Sequence, residues 1–492
     1  MNASHDAAVV DVGSNSVRLV LYRVEGRSMW TVFNEKVLAG LGRDLKKSGR
    51  LSEDGAVSAL AALKRFRMVI DRLPPERVFT AATAAIREAA DGPTFAERVQ
   101  AETGLVLRVL SGPEEAKYAA LGVLAGAPAG DGVVGDLGGA SLELTVIGPR
   151  GAGEGVTLPL GPFSFGTFPD DDPEIRRREV DERIQGLDRF HTATFHAVGG
   201  AWRNLALIHM HMTGYPLRVV HQYELTRAEA LNACRFVASQ SRRSLEAVEG
   251  VSKKRAETLP HAAVVLERLI VSLGIETVVL SAYGVREGML FEAMDDATRA
   301  LDPLIEGCAD LTVRTGADAT LGPTLEAWLS PVFNALTPIF PGRDAILLAA
   351  ACRLADLGAR LHPDHRADLV FEQVLRAPVA GQNHAERAFL AVAAFSRHTS
   401  SNSTPEPATI TRLLPDVARK RARALGAAIR LGCDLTARDS ALLAHTRLSL
   451  KDGRLLLTTD ADRADLLLGE QTGRRAATLA GHLDAKAEVR AD

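Results

Sequence analysis

The sequence predicts an α/β protein with two lobes facing each other across a phosphate-binding cleft, followed by a mainly helical third domain. Three observations carry this. A short pattern occurs twice, as Asp11-Val12-Gly13-Ser14-Asn15-Ser16 and as Asp136-Leu137-Gly138-Gly139-Ala140-Ser141, each time between two apolar runs that read as strands. Glycine-bearing strand-to-helix junctions recur at residues 194–203 and 278–288. From about residue 301 the chain changes to segments with Ala and Leu on one helical face. Internal self-similarity is a fold-level signal, and 492 residues exceed what one hydrophobic core usually supports.

The first strand, Ala7-Ala8-Val9-Val10, runs into Asp11, and residues 17–22 lead away from the turn; residues 132–135 and 141–147 repeat the arrangement around Asp136. A turn rich in Gly and Ser brings backbone N–H groups close to an anion and adds hydroxyl donors. Asp11 and Asp136, one at each strand end, are hard oxygen ligands suited to Mg²⁺ or its water shell. One such turn alone reads more readily as a plain hairpin; two in the same setting favour phosphate. A polar turn and basic run follow at residues 40–47, then a helix over residues 52–73 with helically spaced apolar positions, ended by Pro74-Pro75. Residues 78–82 read as a short strand leading into Thr83-Ala84-Ala85-Ile86-Arg87-Glu88, where Arg87 either reaches the cleft or forms a surface ion pair. Residues 105–110 read as a further strand.

Ser111-Gly112-Pro113-Glu114-Glu115-Ala116 opens the next helix. Ser111 and Glu114 fit a capping box, and acidic residues are favoured in a first turn in any case. Capping does not need two glutamates, and a second carboxylate placed there can accept a proton from water attacking a phosphate. In the second lobe, Val198-Gly199-Gly200 and Gly284-Val285-Arg286-Glu287-Gly288 put glycines at helix starts, which suits either an anion or tight packing. Arg176-Arg177-Arg178 lies among Asp170, Asp171, Asp172, Glu174 and Glu179 and reads as a solvated mixed-charge helix; Lys253-Lys254-Arg255 is a second basic triplet. In the third domain, residues 302–324 are rich in Gly, Asp and Thr. Lys451-Asp452-Gly453 between alternating runs is a strong β-hairpin signal.

Composition narrows the class. Hydrophobic content of 46% and charged content of 24% are ordinary for a globular protein. A net charge of −3 excludes a broadly basic nucleic-acid coat, so a polyanion must be met by local clusters. Cys234, Cys308, Cys352 and Cys433 lie far apart, indicating neither a zinc site nor a disulfide framework and fitting a reducing cytoplasm. No signal peptide or membrane span is expected.

Taken together with Leu158-Pro159-Leu160-Gly161, these motifs come in the order seen in the exopolyphosphatase and guanosine pentaphosphate phosphohydrolase family, which the chain resembles over roughly residues 7–295. The resemblance implies two ribonuclease-H-like lobes of the actin, sugar-kinase and Hsp70 superfamily, at residues 1–124 and 125–300, with residues 301–492 as the helical domain. It implies Mg²⁺-dependent hydrolysis of the terminal phosphoanhydride of inorganic polyphosphate; guanosine pentaphosphate (pppGpp) is the neighbouring substrate, and a nucleotide-binding sensor or ATPase the reading of another class. By the family pattern Glu115 is the catalytic base and Glu114 the cap. Gly13, Ser14, Asn15, Ser16 and Arg87 would hold terminal phosphates. Asp136, Gly138, Gly139 and Ser141 would bind phosphate and metal from the second lobe, and Glu143 would orient the metal's water shell. The chain departs from the pattern at Ala140 and Leu142, where the family has Gly and Thr. Its C-terminal domain resembles the His-Asp metal phosphohydrolases without their ligands: the His-Asp pair falls on Ala355-Asp356, and His362 and His365 read as surface or packing residues. The family further implies a homodimer, with no membrane partner.

Overall fold

In the computed structural model, residues 4–165, 173–248, 251, 256–313 and 318–491 are described; Asp170, Asp171 and Asp172 and the Lys253 to Arg255 triplet lie outside them. The chain divides into two units, Met1–Ala300 and Leu301–Asp492.

In the first unit, strands β1 (His5–Val12), β2 (Val17–Glu25), β3 (Ser28–Val37) and β4 (Arg77–Ala82) form one sheet in the order β3-β2-β1-β4. β1 runs antiparallel to β2 and parallel to β4. The second sheet contains β5 (Gly132–Leu137), β6 (Leu142–Gly148), β7 (Gly151–Ala152), β8 (Val156–Leu158), β9 (Thr194–Val198), β10 (Tyr223–Thr226) and β11 (Thr277–Leu280), in the order β10-β11-β9-β5-β6-β7 with β8 also on β6. Around each Asp turn the connectivity is the same: an antiparallel pair, with a parallel strand, β4 or β9, on the far side of the Asp-bearing strand. The repeat in sequence is thus a repeat in topology.

The strand expected over residues 105–110 does not form. Backbone pairing there is limited to Ala82, which donates to Arg108 O at 2.8 Å and accepts from Leu110 N at 2.9 Å. At the next level the Thr80 hydroxyl takes the place of the ladder, donating to Val106 O at 2.6 Å and accepting from Arg108 N at 3.2 Å. A side chain that satisfies both backbone groups removes the need for a partner strand.

Two helices tie the sheets together. Gly112–Gly126 and Val285–Glu292 pack so closely that a Cβ on Gly288 would lie 1.9 Å from Tyr118 O, and one on Gly122 would lie 2.1 Å from Gly284 O. Met289 and Leu290 of the second helix join Ala7, Val9, Val20 and Tyr22 in the core under the first sheet, and the Tyr22 hydroxyl donates to the buried Glu287 at 2.5 Å. A larger core covers the second sheet, with Trp202 and Phe195 in edge contact at 5.6 Å.

The solvated helix expected around Arg176 and Arg177 is present as Pro173–Arg183, but two of its arginines are not solvated. Arg176 is buried, with its guanidinium 4.8 Å from the centre of the Phe165 ring. Arg177 pairs at 2.8 Å with the buried Glu267. Both also pair within the helix, with Glu179 and Glu174, but Phe165 and Glu267 lie outside it, so its own charge content could not reveal them.

In the second unit, the stretch rich in Gly, Asp and Thr is partly helical, as Pro303–Val313 and Leu321–Phe333. The late hairpin forms as β12 (Thr446–Lys451) and β13 (Arg454–Thr459), with Asp452 and Gly453 both at positive φ (49° and 70°) as a type I′ turn requires. β14 (Lys486–Ala491) then adds parallel to β13.

Candidate active site

Both Asp turns are built on one plan. Gly13 N–H donates to Ser16 O at 2.9 Å, and Gly138 N–H donates to Ser141 O at 2.8 Å. These two N–H groups are therefore committed to the turns, and the glycines contribute a narrow backbone rather than donors. A clamp segment then draws the central carbonyls outward. In the first copy Gly42 N–H reaches Ser14 O at 2.8 Å and Gly40 N–H reaches Asn15 O at 3.1 Å. In the second, Phe163 N–H reaches Gly139 O at 2.9 Å and Gly161 N–H reaches Ala140 O at 3.0 Å. With these carbonyls bonded to the clamp segments, Ser14, Asn15 and Gly139 line the cleft.

The turns face each other closely: a Cβ on Gly139 would meet Ser14 Cβ at 3.1 Å. Between and beside them lies a cleft of about 190 Å³ lined by Asp11, Gly13, Ser14, Asn15, Ser16, Glu115, Asp136, Gly138, Gly139 and Ser141. That is far above the roughly 15 Å³ one water needs and leaves room for phosphate and attacking water together. The junction glycines complete it. Gly199 has φ +110°, and a Cβ there would lie 2.6 Å from Leu137 O and 3.3 Å from Asp136 Oδ1, so only glycine lets the helix Gly200–Met212 start against that carboxylate.

Ser111 and Glu114 form the capping box, and Arg108 adds an ion pair to Glu114 at 2.7 Å. The backbone N–H of Ser111, then Arg108 and the Ser111 hydroxyl, hold the Glu114 carboxyl down to about 2. Glu115, one residue on, is buried and lines the cleft. Burial raises its proton affinity against the opposing pull of Arg87, and the charges of Asp136 and Asp11 add to the rise.

Arg87 does not line the cleft. Its Nη1 donates to Glu115 Oε2 at 2.9 Å and to Leu110 O at 2.9 Å, while Nη2 is buried with no hydrogen-bond partner among the described residues. Of the two readings, cleft or surface ion pair, the structure shows a half-buried pair with the glutamate that reaches the cleft. Glu143 is also set back: it stands opposite Asp136 across the β5–β6 ladder, is 2% exposed, and has one oxygen, Oε1, without a partner. Burial, then the neighbouring Glu115 and Asp136, raise its proton affinity well above the usual range, while a hydrogen bond from Ser141 opposes this.

Four cleft cations had no assigned role in the sequence reading: Arg18, Lys36, Arg203 and Arg286. Arg18 faces Asp11 across the β1–β2 ladder. Arg286 Nε lies 3.5 Å from Asp11 Oδ2. Burial works against charge on Arg286, yet Glu287, Tyr22, Asp11 and Asp136 more than offset it and raise its pKa. Burial, then Arg286 and Arg203, bring Arg18 down to about 10. The sequence signal for them was their spacing from the Asp and Gly motifs: Arg286 follows Gly284 by two residues and Arg203 follows Gly199 by four.

Two crowded carboxylates at the cleft, Asp11 and Asp136, fit a divalent cation. Asp136 is pushed up to about 6, by burial first, with Arg203 opposing and Asp11 adding to the rise; Asp11 is raised by burial with Arg286 opposing. A divalent cation would relieve this crowding. Among the described residues no three carboxylate, His or Cys side chains form a metal cage, so the fit rests on Asp11 and Asp136. In the second unit Asp356 pairs with Arg438 at 3.4 Å.

Comparison with known proteins gives two family matches: the Ppx/GppA phosphatase family over residues 20–297, and the exopolyphosphatase C-terminal family over residues 310–489. Exopolyphosphatase 1 of Mycobacterium leprae is 27% identical over 306 residues, 58% of this chain and 89% of that protein. A bifunctional 3-dehydroquinate synthase/phosphatase of Fusobacterium nucleatum is 22% identical over 59% of this chain and 46% of its own length. Among solved structures, a Ppx/GppA family member of Aquifex aeolicus superposes with a TM-score of 0.52 at 26% identity, covering 58% of this chain and 97% of that one. An exopolyphosphatase of Cytophaga hutchinsonii, at 21% identity and covering 58% and 96%, superposes with a TM-score of 0.54 and shares the fold.

Proposed function

Because the chain belongs to the Ppx/GppA phosphatase family, we propose that it is an exopolyphosphatase, hydrolysing the terminal phosphoanhydride of inorganic polyphosphate and releasing orthophosphate. The observation that carries this reading is Glu115, a buried carboxylate at a helix start, lining a cleft between two glycine- and serine-bearing turns and oriented from behind by Arg87. In this role Glu115 takes a proton from the attacking water as its oxygen bonds to the terminal phosphorus and the bond to the bridging oxygen breaks. Raised proton affinity brings the base nearer to neutral pH, where general-base catalysis is most effective. Ser14, Asn15, Ser16 and Gly139 line the terminal-phosphate position, and Arg18, Arg203 and Arg286 balance its charge. Gly13 and Gly138 shape the turns, Ser141 lines the cleft and bonds Glu143, and Glu143 stands across the ladder from Asp136.

Asp11 and Asp136 would hold Mg²⁺; when bound, that ion neutralises charge on the phosphoryl oxygens. We further assign the activity to the cytoplasm, with which four buried free thiols agree; no described helix is long and apolar enough to cross a membrane. The test is phosphate release from long-chain polyphosphate, pppGpp and ATP, side by side, with and without Mg²⁺. Preference for polyphosphate is expected. Faster release from pppGpp would move the assignment to a pentaphosphate phosphohydrolase, and release from ATP alone would overturn it in favour of an ATPase.

A further inference from the structure

The second unit contains a cluster of cations with almost no counter-charge. Arg475, Arg430 and Arg397 share one carboxylate, Asp434, at 2.9, 3.7 and 4.0 Å. Arg423 adds a fourth guanidinium, which donates to the Asn402 carbonyl rather than to an acid. Arg423, Arg430, Arg475 and His482 line a cavity of about 20 Å³ together with the loop at residues 399–402. At its wall stands Ser396, 7% exposed, whose hydroxyl oxygen is buried without a hydrogen-bond partner among the described residues. An unsatisfied hydroxyl inside a cationic cavity is costly unless something occupies it.

We infer that this cavity is a second anion site, taking a tetrahedral oxyanion of the phosphate class through Ser396, Arg423, Arg430 and Arg475. The volume admits one oxygen-sized atom, so the ion enters by a single oxygen with the rest at the opening. Guanidinium forks converging from two helices, Asp416–Leu435 and Glu470–His482, suit the several oxygens of such an ion better than a monoatomic one. Mutual crowding agrees with an absent partner: burial and then Arg475 depress Arg430, and burial and then Arg423 depress His482. The inference rests on this cavity alone and is independent of the reaction assigned to the cleft.

The test is equilibrium dialysis of the full chain in chloride-free buffer with orthophosphate and, separately, tripolyphosphate, for the unchanged protein, Arg423→Gln and Ser396→Ala. Each variant should weaken one class of site about tenfold, with turnover of polyphosphate at saturation unchanged. Loss seen with orthophosphate marks a site for the free ion; loss confined to tripolyphosphate marks one for a phosphoryl group within a chain. Ser396→Ala removes a single hydroxyl and keeps the comparison if Arg423→Gln misfolds. Unchanged binding in both variants, or chloride displacing phosphate at equal concentration, overturns the inference.

Discussion

Glu114 and Glu115 are neighbours in sequence with opposite environments, and the two demand opposite outcomes on substitution. Glu115→Gln keeps shape and removes the base, so turnover should fall by roughly 10² to 10⁴ while polyphosphate binding is largely retained. Glu114→Gln should keep most activity and lose about 1 kcal/mol of stability as a cap. Its folded pKa lies below the unfolded value, so its stabilisation is present above about 4.5 and is lost as pH falls toward 2; thermal melts of the variant should be flatter across that window. Single-turnover phosphate release from both variants checks the assignment, and a dead Glu114→Gln beside an active Glu115→Gln would shift the role by one residue. Arg87 opposes protonation of Glu115, so Arg87→Met should move the acid limb of the kcat profile to higher pH and lower kcat more than it raises KM. An acid limb that stays in place would remove Arg87 as the group that holds the base. The Glu pair was visible in sequence because a capping box is local; the link from Arg87 to Glu115 was not, since it joins two helix starts that meet only through tertiary packing.

At the level of elements, the site depends on how tightly the helix carrying Glu115 is seated. Gly288→Ala would drive a methyl into Tyr118 O, 1.9 Å from the ideal Cβ position, and should cost about 2 kcal/mol or more by overpacking. A melting temperature equal to that of the unchanged protein would show that the helices part freely. This contact gives Gly288 a packing role, whereas its motif had been open to an anion-binding one. Strand-turn-strand units were legible because alternation and turn chemistry are short-range, as was the Asp452-Gly453 hairpin. Residues 105–110 misled for the complementary reason: their apolar character is real, but the Thr80 hydroxyl on the neighbouring strand satisfies their backbone. The cleft arginines were visible as residues and hidden as a group, because their convergence depends on register between strands and on two helix starts.

For the molecule as a whole, the expectation of a homodimer translates into a property of the second unit. We predict that the full chain is dimeric by light scattering and that a chain ending at Ala300 is monomeric; a dimeric truncated chain would place the contact in the first unit instead. Independent cores in Met1–Ala300 and Leu301–Asp492 make such a truncation reasonable. Within the first unit the duplication extends to the clamp hydrogen bonds, while side chains at matching positions differ. Across the ladder from Asp11 stands a guanidinium, Arg18, and across from Asp136 stands a carboxyl, Glu143. Exchanging a cation for an acid at equivalent sites leaves the two halves of the frame electrostatically unequal: Arg18 reaches the cleft, whereas Glu143 stays buried and set back from it.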